Sequence, residues 1–142
     1  MKAGSKPFAI DANVILRYLL QDNEELTPKA DAIIEGVEDG KLQVLCEPVT
    51  LSEVVYVLFR FYEQERSVIY KGLEPIVKMD GFLMPDKSRY IHALELFAND
   101  IPHFGDACAC AAALEQCKGR LLSFDRKLSS VNGVSRFEEP EK

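Results

Sequence analysis

The stretch Pro7-Phe8-Ala9-Ile10-Asp11-Ala12-Asn13-Val14-Ile15 places an acidic residue between a short apolar run and a helical pattern. The apolar run predicts a strand that ends at Asp11, and residues 14–20 have the spacing of a short helix. A strand that leads directly into a helix is the first half of a βαβ unit, from which parallel sheets are built. The stretch therefore favours an α/β fold with a carboxylate at the carboxyl end of its first strand.

The rest of the chain continues this alternation of strands and helices. Apolar runs predict strands at residues 42–49, 82–84, 120–124 and 134–137. Helical periodicity predicts helices at residues 51–62, 68–79, 88–98 and 106–118, of which the second is weakened by Gly72 and Pro75. Another helix is predicted to start with Thr27 as N-cap and Pro28 as first helical residue, and to end at Gly40. Because strands separated by helices imply right-handed crossovers, we predict a mostly parallel central sheet with helices on both faces.

Length and composition fit one globular domain. The chain has 142 residues, of which 47% are hydrophobic and 28% charged. A chain of this length buries enough surface to fold without disulfide bonds or structural metal ions. We predict a single domain over residues 1–142, with a core of about 8–137 and frayed ends. No apolar run approaches the roughly 20 residues that span a bilayer, and residues 1–6 do not resemble a signal peptide. We therefore expect no membrane association and a cytoplasmic location.

The four cysteines are interpreted as reduced packing residues. Cys108 and Cys110 would point about 200° apart on a regular helix, so both cannot ligate one ion. Cys110 and Cys117 are seven residues apart and would share a helical face, while Cys46 lies in an apolar run. A packing role is the simpler explanation for all four.

Four acidic residues occupy positions where parallel sheets form their sites. Asp11 and Asp125 follow predicted strands, and Glu53 and Asp106 lie in the opening turns of predicted helices. Sites in such sheets form beyond the carboxyl ends of the strands. We therefore expect these four carboxylates at one rim of the sheet.

Grouped carboxylates need a cation. Two like charges 4 Å apart repel by about 1 kcal/mol in water and by about 4 kcal/mol at an effective dielectric constant near 20. Mg²⁺ and Mn²⁺ are hard cations that prefer oxygen ligands, and a pair of them can promote phosphodiester cleavage. The net charge of −6 is unusual for a protein that binds a polyanion, and bound divalent cations would offset most of it.

Each acid also has a structural alternative. Thr50-Leu51-Ser52-Glu53 has the pattern of a capping box, and Asp106 would stabilise the dipole of its helix. Asp125 would cap the turn into Arg126 and Lys127. Asp11 is the hardest to explain structurally, because a buried strand end is a poor place for an unpaired carboxylate.

Four motifs, taken together, resemble those of PIN-domain ribonucleases, especially VapC-type toxins. Ile10-Asp11-Ala12-Asn13-Val14-Ile15 resembles the opening motif of that family, and Ser52-Glu53 resembles its central acidic position. Phe104-Gly105-Asp106-Ala107 resembles its third acidic motif, and Ser123-Phe124-Asp125 resembles its hydroxyl-x-Asp motif. The match covers residues 8 to about 137, in the family's order and spacing. Cys108 and Cys110 depart from it, because larger aliphatic residues are common there.

The resemblance implies a three-layer α/β/α domain that cleaves RNA endonucleolytically with Mg²⁺ or Mn²⁺. In this carry-over Asp11, Glu53, Asp106 and Asp125 hold the metal, and Asn13 and Ser123 support them. It also implies a homodimer and a cognate antitoxin protein that blocks the site. Two alternatives stay open: a PIN nuclease in RNA processing or turnover, and a metal-free PIN fold that acts as a binding module.

Several further side chains have two interpretations. Arg17, Arg126 and Lys127 are candidates for phosphate contacts with RNA, and solvated charge or ion pairing is the alternative. His103 precedes the Asp106 helix, where a structural role is the simpler interpretation and contact with a phosphate is the alternative. The helical stripe of Tyr56, Phe59 and Tyr62 is interpreted as core, and a platform for stacking RNA bases is the alternative.

Overall fold

The computed structural model describes residues 6–140 and divides into two compact units, Met1–Lys87 and Ser88–Lys142. The predicted absence of a signal peptide concerns residues 1–6, of which all but Lys6 lie outside the described residues. The predicted frayed carboxyl end lies outside them only at residues 141–142. None of the helices within residues 6–140 has the length and apolar composition that crossing a bilayer requires.

The first unit contains a three-stranded parallel sheet and four helices. In chain order these are β1 (Phe8–Ala9), α1 (Ala12–Leu20), α2 (Leu26–Glu38), β2 (Val44–Leu45), α3 (Pro48–Arg60), α4 (Arg66–Val77) and β3 (Phe82–Leu83). The strand order is β1-β2-β3, with Phe8 opposite Val44 and Val44 opposite Phe82. Each neighbouring pair is joined through helices, as the predicted crossovers require.

The core of the first unit lies where its helices meet each other and the sheet. Helix α1 packs against α2 and α3, and α3 packs against α4. The side chains of Ile15, Leu51, Leu73 and Phe82 are fully buried there. Gly81 is needed for close packing before β3, since a Cβ at this position would lie 2.8 Å from the carbonyl oxygen of Leu42.

The second unit has two helices, a 3₁₀ turn and a two-stranded parallel sheet. Its elements are α5 (Lys87–Asn99, beginning at the boundary), α6 (Phe104–Gln116), β4 (Arg120–Leu122), the 3₁₀ turn (Arg126–Ser130) and β5 (Ser135–Phe137). Phe97 on α5 and Phe104 on α6 pack edge to face, with ring centroids 5.9 Å apart. At Gly119 (φ +80°) a Cβ would lie 2.0 Å from the Gly133 carbonyl oxygen, so only glycine permits this approach.

The predicted fold class is confirmed. Helices alternate with strands, and every strand pairing within residues 6–140 is parallel, consistent with a three-layer α/β/α fold. The helix predicted with least support also exists, since α4 continues through Gly72 and Pro75. The single domain of residues 1–142 stays a prediction.

Two predicted element boundaries are wrong for the same reason, the position of a proline. Residues 42–49 do not form one strand, because only Val44 and Leu45 pair and Pro48 is the first residue of α3. Proline is favourable at that position, since its missing N–H would be unpaired there anyway. Helix α2 begins at Leu26, so Pro28 is its third residue and Thr27 is not its N-cap. The side chain of Asn23 instead accepts hydrogen bonds from the backbone N–H groups of Glu25 (3.1 Å) and Leu26 (2.8 Å).

Some residues interpreted as packing are exposed. Tyr56 and Tyr62 are exposed, so the stripe that they form with half-buried Phe59 is not core. Among the free cysteines, Cys46 and Cys110 are buried and Cys108 is half-buried, as expected, but Cys117 is exposed. Helical periodicity identified a common face in both cases, and the packing of neighbouring elements decided which faces are covered.

Candidate active site

Asp11 caps a helix and is not buried. It is exposed directly after buried Ile10, and its Oδ1 accepts hydrogen bonds from the backbone N–H groups of Asn13 (3.1 Å) and Val14 (3.3 Å) at the start of α1. The expectation of a buried carboxylate at the strand end is therefore wrong. Asn13 contacts Asp11 through its backbone amide. The second carboxylate oxygen of Asp11 accepts no hydrogen bond from residues 6–140.

Glu53 does not form the capping box that was its alternative structural role. Helix α3 starts at Pro48 with Glu47 as N-cap, and no side chain caps it. Glu53 is therefore the sixth helical residue, beyond the third position that a capping box requires. Its side chain is exposed and forms no hydrogen bond or ion pair with any residue of the described chain.

Asp106 lies in the first turn of α6, where it was predicted. It is the only acid of that turn and is half-buried. No hydrogen bond or ion pair joins its carboxylate to another residue between positions 6 and 140. A favourable interaction with the helix dipole remains available to it, so the structural alternative stands beside the catalytic one.

Asp125 follows β4 and begins the 3₁₀ turn. Its Oδ1 accepts a hydrogen bond from the backbone N–H of Lys127 at 3.0 Å, as the capping alternative predicts. Its own N–H donates to Ser123 Oγ at 3.0 Å. Ser123 is in turn tied to β5, since its N–H donates to the Phe137 carbonyl oxygen (3.0 Å) and its carbonyl oxygen accepts from Arg136 Nη1 (2.7 Å). Ser123 thus holds the backbone that carries Asp125.

The second unit places two of the four predicted acids in one pocket. Asp106 and Asp125 both line a cavity of about 360 Å³. The other polar or titratable residues of this lining are Asp100, His103, Lys127 and Ser130. The sequence had not indicated Asp100 or Ser130, because neither belongs to a motif and only the path of the chain brings them there.

The electrostatics of Cys110 also indicate that the two acids are close. Cys110 is buried one helical turn after Asp106. Burial raises the pKa of its thiol, and the negative charges of Asp106 and Asp125 raise this pKa further. Both carboxylates therefore lie near enough to act on the same buried sulfur.

The first unit offers a different setting. Asp11 lines a cavity of about 420 Å³ together with Phe8, Ala9, Ile10, Val14, Ile33, Leu42 and Val44. Among residues 6–140, its carboxylate is the only polar side chain in that lining. A hydrated ion would find one carboxylate here, compared with three (Asp100, Asp106 and Asp125) in the pocket of the second unit.

The residues present fit a hard divalent cation modestly. No group of three or more His, Cys, Asp or Glu side chains within residues 6–140 is arranged to hold a metal ion. Mg²⁺, however, is usually bound by one or two carboxylates, water and substrate phosphates, and not by a complete protein cage. The Asp106 and Asp125 pair meets that smaller requirement.

The candidate RNA-binding cations Arg17, Arg126 and Lys127 differ in whether they form ion pairs. Arg17 Nη1 lies 2.7 Å from Asp22 Oδ1. A hydrogen bond to Tyr62 raises the pKa of Arg17, burial lowers this pKa, and the charge of Asp22 raises it. Ion pairing is therefore the better explanation for Arg17. The side chains of Arg126 and Lys127 are exposed and form no ion pair within the described chain.

A comparison with protein families gives one match. A family model described as PIN domain matches residues 8–134. The chain belongs to the PIN domain family. PIN domains are generally nucleases that use divalent metals and bind RNA, so this PIN domain is assigned to the nuclease class. A comparison with curated proteins found no match, and the similarity to VapC-type toxins stays a prediction.

Proposed function

We propose that this PIN domain is a Mg²⁺- or Mn²⁺-dependent endoribonuclease and the toxin of a toxin–antitoxin pair. The observation that supports it most is the pocket of the second unit, where Asp106 and Asp125 lie beside Lys127 and His103. Two carboxylates supply oxygen ligands for a divalent cation, and the cationic side chain offers a contact for an RNA phosphate.

The proposed metal ligands are Asp11, Glu53, Asp106 and Asp125. When bound, divalent cations would activate a water molecule and stabilise the leaving oxygen of the cleaved phosphodiester. The protein orients its carboxylates beforehand. In Asp125 and Asp11 one carboxylate oxygen is fixed by backbone N–H groups, which leaves the other oxygen available for a cation.

Supporting residues and partners complete the proposal. Ser123 positions Asp125 through its hydroxyl and its bonds to β5, and Asn13 positions Asp11 through its backbone amide. From the VapC resemblance, the protein is proposed to act as a homodimer and to be inhibited by a cognate antitoxin. The cytoplasmic location stays a prediction from the sequence.

The test is cleavage of a mixed RNA by the purified protein with Mg²⁺, Mn²⁺ or EDTA. Internal cleavage is expected with either metal and not with EDTA. Asp106→Asn and Asp125→Asn should each lower the rate by more than about a hundredfold, since even a supporting residue of a metal site contributes up to about that factor. Asp39→Asn is the matched control, because Asp39 is an exposed acid at the end of α2, outside the predicted motifs.

Other outcomes would point to the alternatives. Equal cleavage in EDTA would contradict metal dependence, and RNA binding without cleavage would favour a metal-free binding module. Growth arrest on expression, relieved by the product of a neighbouring small reading frame, is expected of a toxin. Cleavage without growth arrest would favour a nuclease of RNA processing or turnover.

A further inference from the structure

Phe124 is the most exposed large hydrophobic side chain within residues 6–140. Its exposed fraction is 83%, compared with 64% for Leu122 two residues before it. An aromatic ring left in water forgoes the free energy that burial would provide. A ring this exposed is therefore accessible to a ligand.

The backbone that carries this ring is fixed on both sides. Ser123 is bonded to Phe137 and Arg136 of β5, and Asp125 is bonded to Ser123 and Lys127. A ring on a rigid backbone loses little conformational entropy when it binds, because Phe has only two side-chain torsions.

The residues that follow Phe124 in the chain suit a nucleic acid. Asp125 lines the pocket that also contains Asp106 and Lys127, whereas Phe124 is not part of that lining. Arg126 and Lys127 are exposed, and their side chains have no hydrogen-bond or ion-pair partner in the described chain. An exposed aromatic ring with exposed cations two and three residues along the chain supplies the two groups with which proteins bind single-stranded nucleic acid, because rings stack on bases while cations contact phosphates.

A protein partner is less well matched to this surface. The residues adjoining Phe124 in the chain are Ser123 and Asp125, followed by two cations. The centres of protein interfaces are depleted in charged residues. Charge therefore favours a polyanion with exposed bases as the occupant.

We propose that Phe124 stacks on an unpaired base of the RNA substrate, while Lys127 and Arg126 contact flanking phosphates. This inference rests on the proposed nuclease function and adds to it a residue that contacts a base of the substrate. Bases in an A-form duplex are already stacked and are not available to the ring.

Binding is measured with an unstructured RNA of about ten nucleotides, within the usual site sizes for single-stranded binding. The RNA carries one 2-aminopurine, whose fluorescence reports stacking. All proteins carry Asp106→Asn, so that cleavage does not consume the probe in the presence of Mg²⁺. The variants added are Phe124→Ala, Phe124→Trp and, as matched exposed control, Leu122→Ala.

Phe124→Ala should weaken binding about tenfold, within the range that base stacking provides, and should remove the 2-aminopurine quenching. Phe124→Trp should restore both, and Leu122→Ala should change affinity less than about twofold. The same RNA annealed to its complement should bind equally to the parent and to Phe124→Ala. With a probe that lacks every base, Phe124→Ala should not change the affinity, because the stacking partner is absent.

Equal affinity of Phe124→Ala and the parent for the single strand would overturn the proposal. An equally large loss of affinity by Phe124→Ala on the abasic probe would also overturn it. So would an equal loss of affinity in Leu122→Ala with a changed sedimentation coefficient, because this would indicate a contact between copies of the chain. Cleavage by the wild type is assayed separately. If it cleaves RNA while Phe124→Ala binds normally, only the stacking role fails, whereas absence of both cleavage and RNA binding would refute the nuclease proposal as well.

Discussion

The two units of this PIN domain present their acidic residues in different ways. In the first unit Asp11 lies in an apolar cavity with its carboxylate held by backbone N–H groups, and Glu53 stands exposed in the middle of α3. In the second unit Asp106 and Asp125 share one pocket with further polar side chains, and both act on the buried thiol of Cys110. The same residue type therefore meets an apolar lining in one unit and polar neighbours in the other.

This difference shows why an acidic motif is insufficient as evidence for a metal site. Asp11 and Asp125 both follow a strand and both cap the element after it. A capping carboxylate needs only nearby backbone N–H groups, whereas a metal ligand also needs further oxygen atoms around the ion. Asp125 shares its pocket with Asp100 and Asp106, whereas Asp11 is the one acid among residues 6–140 that lines its cavity.

Asp11→Asn is the variant with the largest expected effect in the first unit. Asparagine is as good an N-cap as aspartate, so the fold should keep its stability while a negative metal ligand is lost. RNA cleavage should fall by more than about a hundredfold, measured together with circular dichroism. Asp11→Ala should lose activity similarly and also about 1 kcal/mol of stability, since it removes the cap. Normal cleavage by Asp11→Asn would leave Asp11 with a capping role alone.

Glu53→Gln tests the second acid of the first unit. Because Glu53 has no capping role, the melting temperature should stay within the error of the measurement. Activity should fall about a hundredfold if its carboxylate binds a cation. Glu63→Gln, which changes an exposed acid just beyond α3, serves as the control. Retained activity in Glu53→Gln would remove Glu53 from the proposed site.

Metal-induced stabilisation compares the two units directly. Mn²⁺ at a hundredfold excess over its dissociation constant should stabilise the wild type by about 2.7 kcal/mol, seen as a raised melting temperature relative to EDTA. Asp106→Asn should reduce this shift, and lower pH should reduce it further because protons compete for the same oxygens. If Asp106→Asn lowers the Mn²⁺-induced rise in melting temperature and Asp11→Asn does not, metal binding is restricted to the second unit. An equal shift in all three proteins would contradict the assignment of both acids.

Alkaline pH should destabilise both units through one buried and one half-buried thiol. Burial raises the pKa of Cys46 in the first unit and of Cys108 in the second to about 11. The unfolded thiols ionise near pH 9, so the stabilising contribution is complete below that pH and is lost as pH rises to about 11. The loss should be on the order of 2 kcal/mol for Cys46. Urea unfolding of wild type, Cys46→Ala and the exposed-site control Cys117→Ala measures it, and an unchanged pH slope in Cys46→Ala would be contrary to expectation.

The smallest expected effect concerns helix caps within the first unit. Asn23→Ala should cost about 1 kcal/mol, because the side chain of Asn23 accepts two backbone N–H bonds at the start of α2. Thr50→Ala should cost less than about 0.5 kcal/mol, because Thr50 lies inside α3 and caps nothing. Chemical denaturation of the two variants compares them, and a larger loss for Thr50→Ala would restore the capping box at Glu53.

The order and type of the helices and strands were predictable from the sequence. The exact residues at which they begin and end were not. Periodicity reports which residues face a common side, so α4 was recognised despite Gly72 and Pro75. The start of α3 was misplaced because Pro48 suits both the end of a strand and the first turn of a helix. Thr27 was assigned as N-cap for a similar reason, since Asn23 forms its bonds only after the loop has folded.

The sequence by itself determined the fold class, the parallel pairing of strands and the positions of the acidic motifs relative to those strands. These depend on hydrophobic periodicity and on local turn chemistry, which neighbouring residues already specify. Only the tertiary structure decided that Asp106 and Asp125 share a pocket with Asp100 and Ser130, that Tyr56 is exposed and that Phe124 stands in solvent. Burial and pocket lining depend on residues distant in the chain, whose approach is fixed by how helices and strands pack and not by any local pattern.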